Sequence, residues 1–503
     1  MSKVRTMAAS ALAPRPNILL LMTDQQRFDA LGCAGNPDIL TPNLDRLAAA
    51  GAMFETCYVQ NPICSPSRAS FATGLYPHNH GLWANGVALP EALPLISKVL
   101  ADGGYDCGMA GKQHLAPCAN GDEPRLDDGY RVYRWSHDPI HRSPQNSYHL
   151  WLKANHPEIY AELVTARADA PAEAGNVAKG ATLADTLPVE AHYSHWIAEE
   201  AIAFIGEARD RPFYFMANFF DPHHPFGAPE PFRALYDAAA LPLPVGSAGE
   251  LAAKPAVQRE YHAKSYGGHA PGFAEYSEAE LREARAGYYA MVSMIDAEVG
   301  RILDVLQATG QLDNTLVVFT SDHGEMLGDH AIMLKGPMLY EPVVRVPLIL
   351  HWPPAIGAGQ RIGRIVQNID LTATLLDVSG MRDALSVQGE SLMPLVAEPA
   401  AGAAAGHRDW ALCEYRDSGH GATPAVHTTM LRHGSMKLVI WHGSPATDRT
   451  RDGELYDLAA DPDETVNLFH DPARRDDRER MKDLLIDVLE ATEWPRPIRT
   501  AEW

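Results

Sequence analysis

The sequence predicts an α/β protein, with a large, mostly parallel central sheet flanked by helices and a smaller C-terminal antiparallel sheet plus helix. Two patterns predict it. Short, uninterrupted apolar runs alternate with helical stretches, as in parallel sheets whose strands are buried on both faces. Beyond residue 406 the pattern changes to closely spaced short strands and one final helix.

Taken in order, residues 1–15 carry Lys3 and Arg5 and then an Ala-rich stretch. The stretch is too short and too weakly apolar for a signal peptide, so a disordered or extended start to a cytoplasmic protein is expected. Runs 18–22, 107–110, 213–217, 316–319 and 346–350 are expected as buried parallel strands. Thr41 is expected to cap a helix that has Pro42 at its first position, an apolar stripe of Leu44, Leu47 and Ala48, and Gly51 past its end. A longer helix is expected over 278–309, stopped by Gly310. Segments 165–186 and 229–265 are rich in Ala, Gly and Pro and read as loops over a site mouth. The low-complexity stretch 397–406 reads as a linker between a catalytic domain at 16–396 and a small α+β domain at 407–491, with a tail at 492–503. Within the second domain, 411–415, 428–431, 437–441 and 454–458 read as strands and 474–491 as a helix.

Composition narrows the function. The 503 residues include 42 Lys+Arg against 64 Asp+Glu, a net charge of −22. A nucleic-acid partner would need a basic face, so none is expected; a small anionic substrate answers to the local field of a pocket and stays open. No apolar run approaches the roughly 18 residues of a membrane span. The six cysteines include no CxxC pair and read as thiols rather than a disulfide framework.

Four expected strands run straight into chemically capable residues: Thr23-Asp24-Gln25, Gly111-Lys112-Gln113-His114, Asp221-Pro222-His223-His224-Pro225 and Ser321-Asp322-His323-Gly324. Sites in open α/β sheets form outside the carboxyl ends of strands, so four such ends point to one convergent site. Asp24 and Asp322 are hard carboxylates suited to a divalent ion. Gln25 can add an amide oxygen, and the nitrogen of His323 tilts the choice from calcium toward manganese or zinc.

The most specific segment is Cys64-Ser65-Pro66-Ser67-Arg68, followed by Thr73-Gly74. Pro66 favours a helix start, which sets Cys64 where partial positive charge attracts anions. This Cys-x-Pro-x-Arg segment resembles the signature of the sulfatase family, in the alkaline phosphatase-like superfamily. Gly111-Lys112-x-His114, Pro222-His223-x-Pro225, Gly328-Asp329-His330, Lys335-Gly336 and Arg345-Val346-Pro347 match as well. The resemblance covers about residues 16–389 and resumes weakly at 453–458, Asp461-Pro462 and Asn467-Leu468.

The resemblance implies that a formylglycine-generating enzyme transiently acts on Cys64. The resulting aldehyde hydrates, and one hydroxyl attacks sulfur. It implies one divalent ion, calcium or manganese, held by Asp24, Gln25, residue 64, Asp322 and His323. Arg68 would hold the diol, Lys112 would orient it, and His114 would take a proton from its second hydroxyl. His223 and Lys335 would bind sulfate oxygens and assist the leaving oxygen. Asn85 is expected to touch a substrate oxygen, while His224, Asp329 and His330 lie behind these groups at most. The family commonly has Asp-Asp at the first pair, where this chain has Asp24-Gln25. Its phosphonate monoester hydrolase relatives use the same formylglycine and often the same Asp-Gln and Asp-His pairs.

The expected function is therefore hydrolysis of sulfate monoesters, with side activity on phosphonate monoesters and phosphodiesters, by a homo-oligomer. A dedicated phosphonate or phosphodiester hydrolase is the second reading and an inactive metal-binding scaffold the third. Against the third stands the complete set of Cys64, Arg68, Lys112, His114, His223 and Lys335.

Overall fold

The aliphatic run at 18–22 has no solvent-exposed surface and forms the middle of the main sheet. A computed structural model describes residues 15–118, 122–141, 143–168, 182–397, 406–443 and 450–493. The expected N-terminal start, the linker at 397–406 and the tail at 492–503 fall largely outside these residues.

The strands in chain order are β1 (Asn17–Thr23), β2 (Ala52–Tyr58), β3 (Asp106–Gly111), β4 (Val132–Trp135), β5 (Phe213–Asn218), β6 (Lys264–Ser265), β7 (Ala270–Pro271), β8 (Thr315–Ser321), β9 (Arg345–Val346), β10 (Leu348–His351) and β11 (Gln360–Gln367). The main sheet runs β11-β2-β10-β8-β1-β5-β3-β4, with β9 beside β2. Strands β8, β1, β5, β3 and β4 are mutually parallel. Their polar carboxyl ends therefore share one edge.

The sheet's two faces divide β1 residue by residue, as a pleated strand must. Ile18, Leu20 and Met22 enter one core, and Leu19 and Leu21 the other. The second core is closed by two helices, Tyr193–Gly206 and Glu278–Ala308. The long helix starts on a reciprocal cap: Ser277 Oγ accepts from Glu280 N (3.3 Å) while Glu280 Oε2 accepts from Ser277 N (2.8 Å).

Beyond residue 406, β12 (Trp410–Arg416), β13 (His427–His433), β14 (Met436–Trp441) and β15 (Asp452–Asp457) form an antiparallel sheet in that order. One face, with Leu412, Leu431, Leu438 and Leu455, packs on Met481, Leu485 and Val488 of the helix Arg475–Ala491. The other face, with Cys413, Tyr415, Met430, Val439 and Trp441, joins the core of the main sheet.

Three expectations need correction. Residues 346–350 do not form one parallel strand. Pro347 has no N–H to pair and separates β9 from β10; β10 then runs antiparallel to both β8 and β2. Segment 229–265 is not all loop, because it contains the helix Ala256–Ala263. That helix is held by tertiary contacts: Gln258 Nε2 donates to Glu454 Oε1 (2.8 Å), and nearby Lys254 Nζ reaches Tyr456 Oη (2.8 Å) and Glu464 O (2.7 Å). Thr41 does precede the helix α1 (Pro42–Ala50), but its side chain does not cap it. Its hydroxyl instead accepts from Gly32 N and donates to Asp45. The free amides of Asn43 and Leu44 donate to the carboxylate of Asp296, from the long helix (3.1 and 2.7 Å).

Candidate active site

The short apolar run of β1 and β8 ends where the backbones turn polar, and the two ends are tied together. Asp322 N donates to Thr23 O (3.1 Å), and Gln25 N donates to Asp322 Oδ1 (3.0 Å). On the other side of β1, Asp24 N donates to Asp221 O (3.3 Å) beyond β5. At the end of β3, Gly111 has φ +102°, and a Cβ there would lie 2.0 Å from Asn218 O. Only glycine permits that approach, which brings Lys112 beside Asp24.

The helix α2 (Cys64–Thr73) begins at Cys64 and is buried over its whole length. Asn85 Oδ1 accepts from Ser65 N (3.1 Å) in its first turn, and Ser67 Oγ donates to Asp322 O (2.5 Å). These bonds fix the head of the helix against the end of β8. Asn85, expected to face substrate, thus has its amide oxygen engaged at the helix start.

Cys64 Sγ lies 3.6 Å from Asp24 Oδ1, 3.1 Å from His323 Nε2 and 3.4 Å from Lys335 Nζ. Behind it, Arg68 donates to Asp322 Oδ2 (2.8 Å), Asp24 Oδ2 (3.2 Å) and Lys112 O (2.8 Å). Lys112 Nζ donates to Asp24 Oδ2 (2.7 Å). Arg68 therefore locks the two carboxylates in place behind residue 64.

The electrostatics follow from these distances. Burial pushes the Asp24 carboxyl up, but Lys112, His223, Lys335 and Arg68 outweigh it and hold the group well below the usual carboxylate range. Burial and Asp24 push the Cys64 thiol up; Lys112, Lys335 and His323 more than offset them, so the thiol lies below its ordinary value. Burial, reinforced by nearby cations, holds His114, His223 and His224 well below the usual imidazole range. These three rings are neutral near pH 7.

The donors fit a divalent cation. Ligand atoms of Asp24, Cys64, Asp322 and His323 all lie within 4.8 Å of one another. Arg68 and Lys112 answer the two buried carboxylates from behind, and the oxygens facing Cys64 suit a hard cation. His323 Nδ1 meets Gly324 O (2.9 Å), so Nε2, which faces Cys64 Sγ, is the nitrogen on the ligand side. Gln25 reaches the rim of this group, where its Oε1 accepts from Lys335 Nζ (2.5 Å); its amide nitrogen donates to Glu325.

A family model described as Sulfatase matches residues 16–381, and one described as N-sulphoglucosamine sulphohydrolase, C-terminal, matches 328–491. The chain belongs to the sulfatase family. It is an enzyme that hydrolyses sulfuric esters. It is 29% identical to the arylsulfatase of Clostridium perfringens over 497 residues, covering 95% of both chains. It is 28% identical to the N-acetylglucosamine-6-O-sulfatase of Bacteroides thetaiotaomicron, covering 95% of this chain and 86% of that one. A solved structure, the phosphonate monoester hydrolase of Agrobacterium radiobacter, superposes with a TM-score of 0.76 at 27% identity, covering 95% and 96% of the two chains.

This sulfatase also uses residues that sequence reasoning missed. Glu123 accepts from the backbone amides of His114 (3.1 Å), Leu115 (2.7 Å) and Ala116 (3.2 Å), and so holds His114 with φ +59°. The ring of His137 meets that of His114 edge-on at 4.5 Å. Neither Glu123 nor His137 lies in a motif, so no local signal marks them. His224, placed in the background, stacks on His223 at 4.0 Å and lies 3.2 Å from the Gln25 amide. Asp329 pairs with Arg27 (2.7 Å), and His330 stacks on Tyr340 (3.9 Å).

Proposed function

We propose that this sulfatase cleaves sulfate monoesters with residue 64, carried as formylglycine, beside one divalent ion, calcium or manganese. The observation that carries the reading is the position of Cys64 Sγ, within 3.6 Å of Asp24, His323 and Lys335 at the head of a buried helix. Asp24, Asp322, His323 and residue 64 would hold the ion, with Gln25 at its edge. When bound, the ion offsets developing negative charge and lowers the pKa of the attacking hydroxyl.

The chain's own groups then divide the work. Lys112 and Arg68 keep Asp24 ionised, and Arg68 fixes the Asp322 carboxylate in place. Lys335 presents an ammonium to the sulfate oxygens and the departing alcohol oxygen. His223 Nδ1 bonds to His224 O (2.7 Å), so its Nε2 is the nitrogen free to meet substrate. The neutral ring of His114 is the base that takes the proton whose loss releases sulfate. His114→Ala should slow release of sulfate more than release of the alcohol, lowering kcat by about 10²-fold or more. Rapid-quench measurement with an aryl sulfate should show a burst of phenol followed by slow turnover. Equal slowing of both products would remove His114 from this role.

A formylglycine-generating enzyme is the implied transient partner. The reading assigns catalysis to residues 16–396 and a supporting role to 407–491. It includes a cytoplasmic location, with which six unpaired cysteines agree. Among the described residues, no helix is long and apolar enough to cross a membrane.

Phosphonate monoesters make the same demands on metal, nucleophile and cations. The Gly111-Lys112-x-His114 segment, which matches sulfatase motifs, supports sulfate as the preferred ester. The test is kcat/KM for an aryl sulfate against a phenylphosphonate ester of the same phenol. The sulfate should be preferred; a clear preference for the phosphonate would make this a phosphonate hydrolase.

A further inference from the structure

Tyr266 is a buried residue in an unusual setting. It is 5% exposed, yet it has φ +52°, followed by Gly267 at +64° and Gly268 at +101°. A bulky side chain rarely occupies the left-handed region, and such strain persists where surrounding structure imposes it. The tight β6–β7 pairing, Lys264 with Pro271 and Ser265 with Ala270, imposes it here. The Tyr266 hydroxyl is buried and has no hydrogen-bond partner among the described residues. An unpartnered buried hydroxyl destabilises the fold, and an acceptor brought by a ligand would satisfy it.

Its neighbours form a column. The Tyr266 ring lies 5.7 Å from His224, which itself stacks on His223 and touches Gln25. On the other side it lies 4.8 Å from His420, and His420 lies 5.2 Å from His269. Tyr266 and His224 are buried, whereas His269 and His420 are exposed. The column therefore runs from solvent to the groups around residue 64. It is assembled from two distant stretches, since a Cβ on Gly267 would lie 3.2 Å from Gly421 O. Burial pushes the Tyr266 phenol well above its ordinary range, and Glu325, residue 64 and Asp24 push the same way, so it stays a donor.

We propose that Tyr266, His420 and His269 form the subsite for the alcohol part of the ester, and that it selects alcohols carrying a flat ring. The inference rests on the proposed sulfate-ester chemistry and adds the class of leaving group. The exposed rings of His420 and His269 offer faces for offset stacking, and the Tyr266 hydroxyl offers a donor to a ring substituent or the ester oxygen.

The test compares the wild-type holoenzyme with Tyr266→Phe, His420→Ala and the double variant His269→Ala/His420→Ala. Each is assayed with phenyl sulfate and an acyclic alkyl sulfate, with inorganic sulfate as inhibitor. Binding of 4-nitrophenol is measured by isothermal titration. The ratio of kcat/KM for phenyl over alkyl sulfate should fall about tenfold in the double variant, and phenol binding should weaken in parallel. Inhibition by inorganic sulfate should change by less than about twofold, since the anion site is untouched. A constant ratio with unchanged phenol binding would overturn the subsite. So would equal loss on both esters together with lost sulfate inhibition, which would mean that the column only supports the anion site. If wild type cleaves neither sulfate, the sulfate-ester reading fails, and phenol binding that the double variant loses still supports the subsite.

Discussion

Cys64→Ala is expected to lower turnover of an aryl sulfate by about 10⁴-fold or more, because it removes the nucleophile's precursor and leaves the surrounding charges without a reacting atom. No other side chain can substitute. The groups nearest Sγ are Asp24, His323 and Lys335, and each is committed to the cation or the anion. The variant should still fold. Residue 64 starts α2 rather than filling its middle, and the helix is held by Ser67 on Asp322 O and Arg68 on both carboxylates. Thermal unfolding should therefore shift little while the rate collapses. Peptide mass spectrometry of the active wild type supplies the second check and should find formylglycine at position 64. Fully active protein carrying only unmodified cysteine there would refute the mechanism.

Asp322→Ala is expected to lose both metal and turnover, with metal content falling to about one tenth or less of wild type and the rate by about 10³-fold. The carboxylate has three tasks at once. It is a candidate ligand, it accepts from Gln25 N (3.0 Å), and it pairs with Arg68 Nε (2.8 Å). Burial leaves Arg68 no water to compensate, and Asp24 must then answer Arg68 and Lys112 alone. Removing one partner of a buried pair costs about 3 kcal/mol, so the alanine variant should also be less stable. Asp322→Asn keeps the shape and one acceptor, and separates the two effects. It should recover much of the stability without recovering the metal. Metal analysis and initial rates decide the matter: an alanine variant that keeps its ion and a near-normal rate would eliminate Asp322 as a ligand.

Much of this site could be read from the chain because its chemistry sits at strand ends. Buried parallel strands appear as unbroken apolar runs, so the polar residue that ends each run stands out. Asp24, Lys112, His223 and Asp322 were all visible in this way, and the Cys64 segment was visible through its helix start. The residues that were not visible act through contacts far apart in sequence. Tyr340 and Glu454 meet Gln258 across 82 and 196 residues, which is why a stretch that reads as loop is helical. Tyr266 lies in a Gly-rich stretch that looks like any turn, and its meaning depends on His420, supplied by the C-terminal part of the chain.

The sequence by itself determined four buried parallel strands, β1, β3, β5 and β8, where each of them turns polar, and which side chains can bind a cation, hold an anion or supply a nucleophile. These are properties of composition and local order, set by apolar burial and by the chemistry of each side chain. Tertiary structure alone decided the direction of β10, the capping of α1 by Asp296, the use of Arg68 as a clamp on two carboxylates, and the meeting of Tyr266 with His420. Each of these depends on which groups are left unsatisfied once the sheet has closed. A buried amide, charge or ring takes the nearest partner in space, and sequence distance has no part in that choice.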